Sequence, residues 1–375
     1  MTTPGKGAPK SAHIFTFTFL LILGGCFPHS CRRSESTELL PADSLSRDIA
    51  RSIPADTLRL LWTSGGTDQH PLEFPRTVRA GTDGSVYVSD VQRHSLFVLT
   101  ENGSGREIPL PHIEVPYLAG MSADTVSIFN PATLTMYRLL DDELVDSMKI
   151  EDTERNENSL VYGAADDLIH YKRVGQDQNG IVLSYAGDGT PVDSTRLTGS
   201  YWRHAGLLKT WGDTLVSLSG FRPVVDLIVP ADGPPFQASA ARTEQPATRL
   251  PAAAADSLSL VGFDSPMLAR SLSFIRGDIH EAPLLSASAA ASGNLLFVLN
   301  MRPGWLQVDV FDREGHLQHR LVQSTRGYES AFFPQDIDVR RTPEGYEIAV
   351  IISEPQPELQ VFRWALDKAG NRLHQ

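Results

Sequence analysis

The feature that most constrains this chain is a repeat. Six times, a polar turn leads into an alternating or continuous apolar run. The six are Asp83-Gly84 before Ser85–Ser89, Ala123-Asp124 before Thr125–Phe129, Asp166-Asp167 before Leu168–Tyr171, Gly212-Asp213 before Thr214–Leu218, Gly293-Asn294 before Leu295–Leu299, and Glu344-Gly345 before Tyr346–Ile352. With Val86, Val126, Leu168, Leu215, Leu295 and Ile348 as markers, the spacings are 40, 42, 47, 80 and 53 residues. Within a unit the parts keep one order: a short apolar strand such as Thr77–Ala80, the marked strand, a third strand such as Ser95–Leu99, and a turn such as Asn102-Gly103. Period-2 alternation, as in Leu306, Val308 and Val310, is a strand signal. Four-stranded propeller blades recur at roughly 40–50 residues. The expected fold is therefore all-β, a β-propeller of six four-stranded blades over residues 57–375.

The two chain ends bear on closure. The last unit has strands near 336–341, 346–352 and 358–365, and the residues left after it are too few for a comfortable fourth strand. Thr57–Thr63 reads as a strand with no partner of its own. An N-terminal strand completing the last blade accounts for both facts, and a closed ring removes exposed sheet edges. The 80-residue interval has two readings, a degenerate seventh blade or an insertion. The Pro- and Ala-rich stretch Ala231–Ala255 favours an insertion. After it, Ser265-Pro266 reads as a helix start, Met267, Leu268, Leu272 and Ile275 share a face, and Gly277 is a stop. The expectation is a loop-plus-helix insertion around 231–277.

Val86-Tyr87-Val88-Ser89-Asp90, then Arg93 to Leu99, then Asn102-Gly103, resembles an NHL-type blade. Looser copies lie at Leu295–Asn300 with Leu306–Asp312, and from Pro334 to Trp364. The resemblance is strong in the first and last thirds and weak in the middle. It implies a propeller architecture more than a subfamily.

The N-terminus has the layout of a secretory signal: Lys6 and Lys10, an apolar run centred on Ile14–Leu23, then Leu23-Gly24-Gly25-Cys26. The run is short for a bilayer span, which needs roughly 20 apolar residues. The last four residues resemble a bacterial lipobox, and a signal cut by the ordinary peptidase fits Leu23/Gly25 poorly. That resemblance implies a signal peptide at 1–25, acylation of the Cys26 thiol, and a membrane partner through the lipid anchor. Phe27 in place of an Asp implies the outer membrane of a bacterial cell envelope. Residues 26–56 read as the lipidated Cys and a polar, Pro-punctuated tether, with a helical turn at Leu45–Ile49. Loss of Lys6 and Lys10 with the signal takes the formal charge from −12 to −14, which argues against a nucleic-acid partner. With Cys26 acylated, Cys31 is the only other cysteine, so no internal disulfide forms.

Propeller geometry says where to look for a site. The loops leading into the innermost strands and the turns between second and third strands share one face. The first group carries Arg76, Tyr117, His204 and Asp336; the second carries Arg93, Arg173, Arg222 and Arg302. Five arginines (Arg76, Arg93, Arg173, Arg222, Arg302) on the rim of an acidic protein suit a small anionic ligand or an acidic segment of an envelope protein. The plainer reading is that exposed turns favour Arg. Tyr201-Trp202-Arg203-His204 with Trp211 is the densest aromatic patch, read more readily as packing than as a stacking surface, and Trp305 and Trp364 read as core. No zinc-protease, nucleophile-elbow or phosphate-loop motif is present. No cofactor is expected, although Asp336 and Asp338 with Asp90 are candidates for a divalent cation such as calcium. Two functions therefore stand: a non-catalytic recognition or scaffold propeller, and a metal-assisted lactonase or lyase using channel carboxylates and His204. The residues lining the axis decide between them.

Overall fold

The computed structural model describes residues 53 and 55–366, except 103, 123–124, 153, 156–158, 166–168, 176–179, 198–200, 229–256, 260–264, 281–283, 302–305 and 324–332. The signal segment, Cys26, the tether with Leu45–Ile49, the stretch 231–255, Arg302 and Trp305 lie outside the described residues.

Two short strands, β1 (Ala55–Thr57) and β2 (Arg59–Ser64), precede the first blade. Blade 1 is β3 (Pro75–Ala80), β4 (Val86–Asp90), β5 (Ser95–Leu99) and β6 (Gly105–Pro109). Blade 2 is β7 (Tyr117–Met121), β8 (Thr125–Asn130), β9 (Thr135–Leu140) and β10 (Glu143–Lys149). Blade 3 is β11 (Ser159–Ala165), β12 (Ile169–Gly175), β13 (Ile181–Tyr185) and β14 (Pro191–Arg196). Helix α1 (Tyr201–His204) leads into blade 4: β15 (Leu208–Trp211), β16 (Thr214–Leu218), β17 (Val224–Ile228) and β18 (Ser257–Ser259). Helix α2 (Ser265–Arg276) precedes blade 5: β19 (Ser286–Ser292), β20 (Leu295–Asn300), β21 (Gln307–Phe311) and β22 (Leu317–Val322). Blade 6 is β23 (Phe333–Thr342), β24 (Gly345–Glu354), β25 (Glu358–Ala365) and, outermost, β2. Each inner strand packs on the inner strand of the next blade, and β23 packs on β3 to close the ring.

The strands marked by the repeat are the second strands of their blades. They read as continuous apolar runs because both faces are covered. In β20, Phe297 and Leu299 pack toward blade 6, while Leu296 and Val298 pack toward blade 4. A separate cluster of buried side chains fills each of the six blade-to-blade interfaces. Side chains in these clusters contribute about 1.5–3 kcal/mol each.

The closing strand expected at Thr57–Thr63 divides in two. β2 pairs antiparallel with β25, Arg59 opposite Arg363 and Ser64 opposite Leu359, and completes blade 6. Thr57 belongs instead to β1, which adds in parallel to β22 as a fifth strand of blade 5, Ala55 opposite Arg320 and Thr57 opposite Val322. The break falls at Leu58, which is buried among side chains of blades 5 and 6. Its N–H donates to the Val322 carbonyl at 2.8 Å. Arg320 holds the start of the segment, its Nε and Nη2 donating to the Ile53 carbonyl at 3.1 and 2.9 Å. His319 Nδ1 lies 3.0 Å from Asp56 Oδ2.

Among the described residues the 80-residue interval holds no seventh blade. β17 and β18 pair within one sheet, Val224 opposite Ser259, so in chain order the Pro- and Ala-rich stretch falls between the third and fourth strands of blade 4. α2 lies in the link to blade 5. It ends as the Gly277 stop requires: Gly277 has φ +79°, its N–H donates to Phe274 O, and Asp278 N–H donates to Ser273 O. This is the left-handed C-terminal cap that glycine supplies.

Candidate functional site

The axis of the ring carries charge. Asp336, on inner strand β23, is fully buried. One carboxylate oxygen accepts from Lys209 Nζ at 2.8 Å and from the Ser288 hydroxyl. The other accepts the Val78 backbone N–H at 2.9 Å and lies 3.7 Å from Arg79 Nη1. Two residues on, Asp338 accepts the Ala80 N–H at 2.7 Å. These contacts join blades 1, 4, 5 and 6. They also cap inner-edge donors of β3, which has no strand on its axial side. Thr77 acts in the same way one blade on, its hydroxyl accepting the Leu118 N–H at 2.7 Å.

Local sequence explains how these groups reach each other. The inner strand of blade 5 is Ser-Ala-Ser-Ala-Ala-Ala-Ser, and its small side chains leave room beside the axis. Lys209 extends from blade 4 past this strand to blade 6. Burial by itself would raise the pKa of Asp336; the Lys209 ammonium and the Arg79 guanidinium outweigh it and hold the carboxyl below its usual value. Burial raises Asp338, against the pull of Arg79 and the Ala80 N–H. Burial, with Arg79 nearby, lowers Lys209. Two acids and two bases therefore balance at the axis, and Asp336 is engaged on both oxygens.

Asp90 does not join this group. It closes β4 and accepts the backbone N–H groups of Glu73, Phe74, Gln92 and Arg93 at 2.7–3.1 Å. It fixes the loop leading into blade 1 against the turn after β4. Burial raises its pKa although these N–H groups oppose the rise. Ser219 does the same work in blade 4, its hydroxyl accepting Phe221 and Arg222 N–H at 3.3 and 2.9 Å. The Asp that carries the NHL-like resemblance is thus a turn-holding residue. Among the described residues no group of three or more His, Cys, Asp and Glu side chains converges as metal ligands would.

The predicted rim residues separate into several environments. Arg76 and Tyr117 meet: Arg76 Nη2 donates to the Tyr117 hydroxyl at 3.3 Å and Nη1 donates to Gln335 Oε1 at 3.0 Å. The Arg76 guanidinium stands 5.2 Å from the Phe74 ring centre and 5.8 Å from that of Tyr117. These residues belong to the starts of the inner strands of blades 1, 2 and 6, and they form a half-buried mouth above Asp336. Arg93 is paired elsewhere, with Glu107 at 3.0 Å and Glu73 at 2.8 Å. Arg173 is buried against Asp152 at 3.2 Å and Glu154 at 3.1 Å, in the link between blades 2 and 3. Arg222 is buried, in the turn after β16. The structure therefore joins Arg76 to Tyr117 and to Gln335, the neighbour of Asp336, at one end of the axis, and pairs Arg93 and Arg173 with other acids.

His204 is buried on α1, with Nδ1 3.5 Å from Asp226 Oδ2, and Arg203 clasps the same carboxylate at 2.6 and 3.0 Å. The aromatic patch is packing. Trp202 meets Phe221 and Phe274 edge-on at 4.9 and 5.1 Å, and Phe274 of α2 stacks on Phe221 at 5.2 Å. Ser271 donates to the Phe221 carbonyl, so α2 caps the turn that holds Arg222. Trp211 Nε1 donates to the Gly293 carbonyl at 3.1 Å, across the seam to blade 5. Trp364 stacks with Tyr346 in the interface of blades 5 and 6.

Sequence reading passed over Lys209, Arg79, Ser288 and Lys172. Lys172 is buried, its ammonium donating to Leu207 O, Ser217 Oγ and Leu218 O at 3.0–3.3 Å, and burial lowers its pKa to about 7. It ties blade 3 to blade 4. One signal was available: Lys172 and Lys209 are lysines inside short strands, Ile-His-Tyr-Lys-Arg-Val-Gly and Leu-Lys-Thr-Trp, where an ammonium is costly to bury.

Neither a protein-family model nor a curated protein matches the sequence. Among solved structures the chain is similar to virginiamycin B lyase from Staphylococcus aureus, at 11% identity over 81% of this chain and 98% of that one, with a TM-score of 0.48. It is also similar to the calcium-binding protein regucalcin from Agrobacterium tumefaciens strain C58, at 10% identity, 83% and 98% coverage and a TM-score of 0.46. A third is the PQQ-bound aldose sugar dehydrogenase from Streptomyces coelicolor, at 12% identity, 83% and 99% coverage and 0.47. At such identities and TM-scores these likenesses carry no argument about function; the six sheets in a ring, five of four strands and one with a fifth added, make this chain a six-bladed β-propeller.

Proposed function

We propose that this chain is an envelope lipoprotein whose NHL-like propeller is a non-catalytic recognition module. The observation that carries this reading is the state of the axial carboxylate. A propeller that does chemistry on its axis needs carboxylates with lone pairs available to a cation or a substrate. Asp336 has both oxygens engaged, one by Lys209 and Ser288 and the other by the Val78 N–H with Arg79 at 3.7 Å. A cation would have to displace a resident ammonium and then face Arg79. The axial network serves to hold the blades, which leaves recognition to the surface.

On that reading the Arg76, Tyr117 and Gln335 mouth receives an anionic ligand or an acidic partner segment. The guanidinium is held between two rings and oriented by two hydrogen bonds, so it is preorganised for a carboxylate. Its test uses the mature chain at low salt with pentaglutamate as probe. Arg76→Ala is expected to weaken binding roughly tenfold, the loss of one charge-assisted contact. Binding unchanged by that substitution sinks the assignment. Divalent metal that copurifies, is lost in Asp336→Asn, and supports lactone opening would favour the lactonase or lyase reading instead.

The anchor is tested separately. In a bacterial host fed an alkyne fatty acid, Cys26 is expected to take up the label. Cys26→Ser should abolish labelling and leave the protein in the soluble envelope fraction. Label retained in that variant would place the acyl chain elsewhere or discard the anchor.

A further inference from the structure

We propose that β10, the outermost strand of blade 2, is a docking edge for an extended segment of another protein in which basic and apolar residues alternate. This surface is separate from the axial mouth, and the proposal stands whether or not that mouth binds an anion.

Three observations carry it. First, the exposed large hydrophobic side chains of the described residues gather here: Leu140 at 40%, Leu144 at 51% and Val145 at 56% exposure. They lie on one hairpin, β9 to β10, whose turn residues Asp141 and Asp142 both take positive φ. Second, the other blades treat their outer edges differently. β6 ends in Pro109 and β14 begins at Pro191, with Asp193–Thr195 buried; β18 has three residues. β22 is covered by β1, and β2 keeps Leu60, Leu61 and Trp62 partly buried. β10 is seven residues long, without proline, and exposed from Glu143 to Ser147. An unpaired strand edge with apolar side chains is a template for another strand. Third, this protein already takes a fifth strand on a blade, since β1 adds to β22.

Charge selects the occupant. Residues 141–147 read Asp-Asp-Glu-Leu-Val-Asp-Ser and all are exposed. Arg106 pairs with Asp142 at 2.6 Å, and Arg138 lies 3.6 Å from Asp146. Arginines thus match Asp142 and Asp146, and Asp141 and Glu143 at the hairpin turn leave the apolar patch with a net acidic border. A second copy would bring the same acids against themselves; a segment with Lys or Arg between apolar residues complements both. A bulge leaves Val145 without a partner on β9, so ladder pairing is expected along Asp146–Lys149. Leu140, Leu144 and Val145 then form the apolar contact at its end.

The experiment measures anisotropy of two labelled peptides, Lys-Val-Lys-Val-Lys-Val-Lys and its Glu-Val counterpart, against the mature chain. The basic peptide is expected to bind and the acidic one not to. Leu144→Ser with Val145→Ser should weaken binding at least tenfold. These exposed substitutions leave net charge unchanged, so binding that persists in the double variant is bulk electrostatics and overturns the proposal. So does absence of binding to wild type. A dimer in light scattering that the double variant abolishes would assign the edge to a second copy. Sedimentation with phosphatidylcholine vesicles, lost in the same variant, would assign it to a membrane. Either result replaces the proposal.

Discussion

Replacing Asp336 with alanine is expected to destabilise the ring by about 3–5 kcal/mol, the usual cost of removing one partner from a buried ion pair. The loss has three parts. Lys209 is left as a buried ammonium without its counter-charge, the Val78 N–H loses its acceptor, and Ser288 loses its partner. Thermal denaturation should show a fall in Tm on the order of 10 °C. Lys209→Met alone leaves Asp336 beside Arg79 and should cost less. The double variant should cost less than the two singles added, because the pair is one interaction. Additivity would mean that the axial contact contributes no coupling. The pH dependence has a definite sign. A carboxyl held below its usual pKa in the folded state adds stability above the unfolded value, roughly 3.9. That stability is lost as pH falls through the lower folded value. The gap between wild type and Asp336→Asn should therefore be full at neutral pH and close only below the ordinary carboxylate range. A gap that closes near pH 6 would contradict the assignment.

Removing the chain through Ser64 is expected to have the largest effect. It takes out β1, β2 and buried Leu58, uncovers the outer edge of β25 from Leu359 to Arg363, and exposes side chains that pack on Leu61 and Trp62. One fully buried apolar side chain and several partly buried ones, at about 1.5–3 kcal/mol for each fully buried, approach the whole stability of a domain, about 5–15 kcal/mol. The truncated chain should lose cooperative melting and elute as aggregate. A peptide spanning residues 53–65, added in trans, should restore a monomeric ring. Leu58→Asp is the milder variant, because it keeps the strands and spoils only the residue between them. If the truncated chain melts like the full one, closure by β2 is not what holds the ring shut.

The repeat was legible because its signals are local. A Gly or Asp turn and a period-2 apolar run are set by neighbouring residues, and six of them name the second strand of six blades. Closure was legible as an imbalance, a strand too many at one end and too few at the other. The division at Leu58 was not, because Thr57 and Arg59 are both acceptable strand residues. What separates them is an interface between two blades assembled from residues more than 200 positions away. The arginines make the same point. Their turns were found, but nothing adjacent to Arg173 in sequence announces Asp152 or Glu154, and nothing adjacent to Arg222 announces the α2 cap.

By itself the sequence determined the blade, the six-fold repeat and the need for the N-terminus to finish the last sheet, since each follows from short-range patterning and from the rule that strand edges be covered. Only the tertiary structure decided what lies on the axis. Asp336 takes its partners from Val78, Lys209 and Ser288, which belong to three other blades. Which charges meet at the centre of a closed ring depends on the twist and radius of the whole assembly. No window of the chain contains that information.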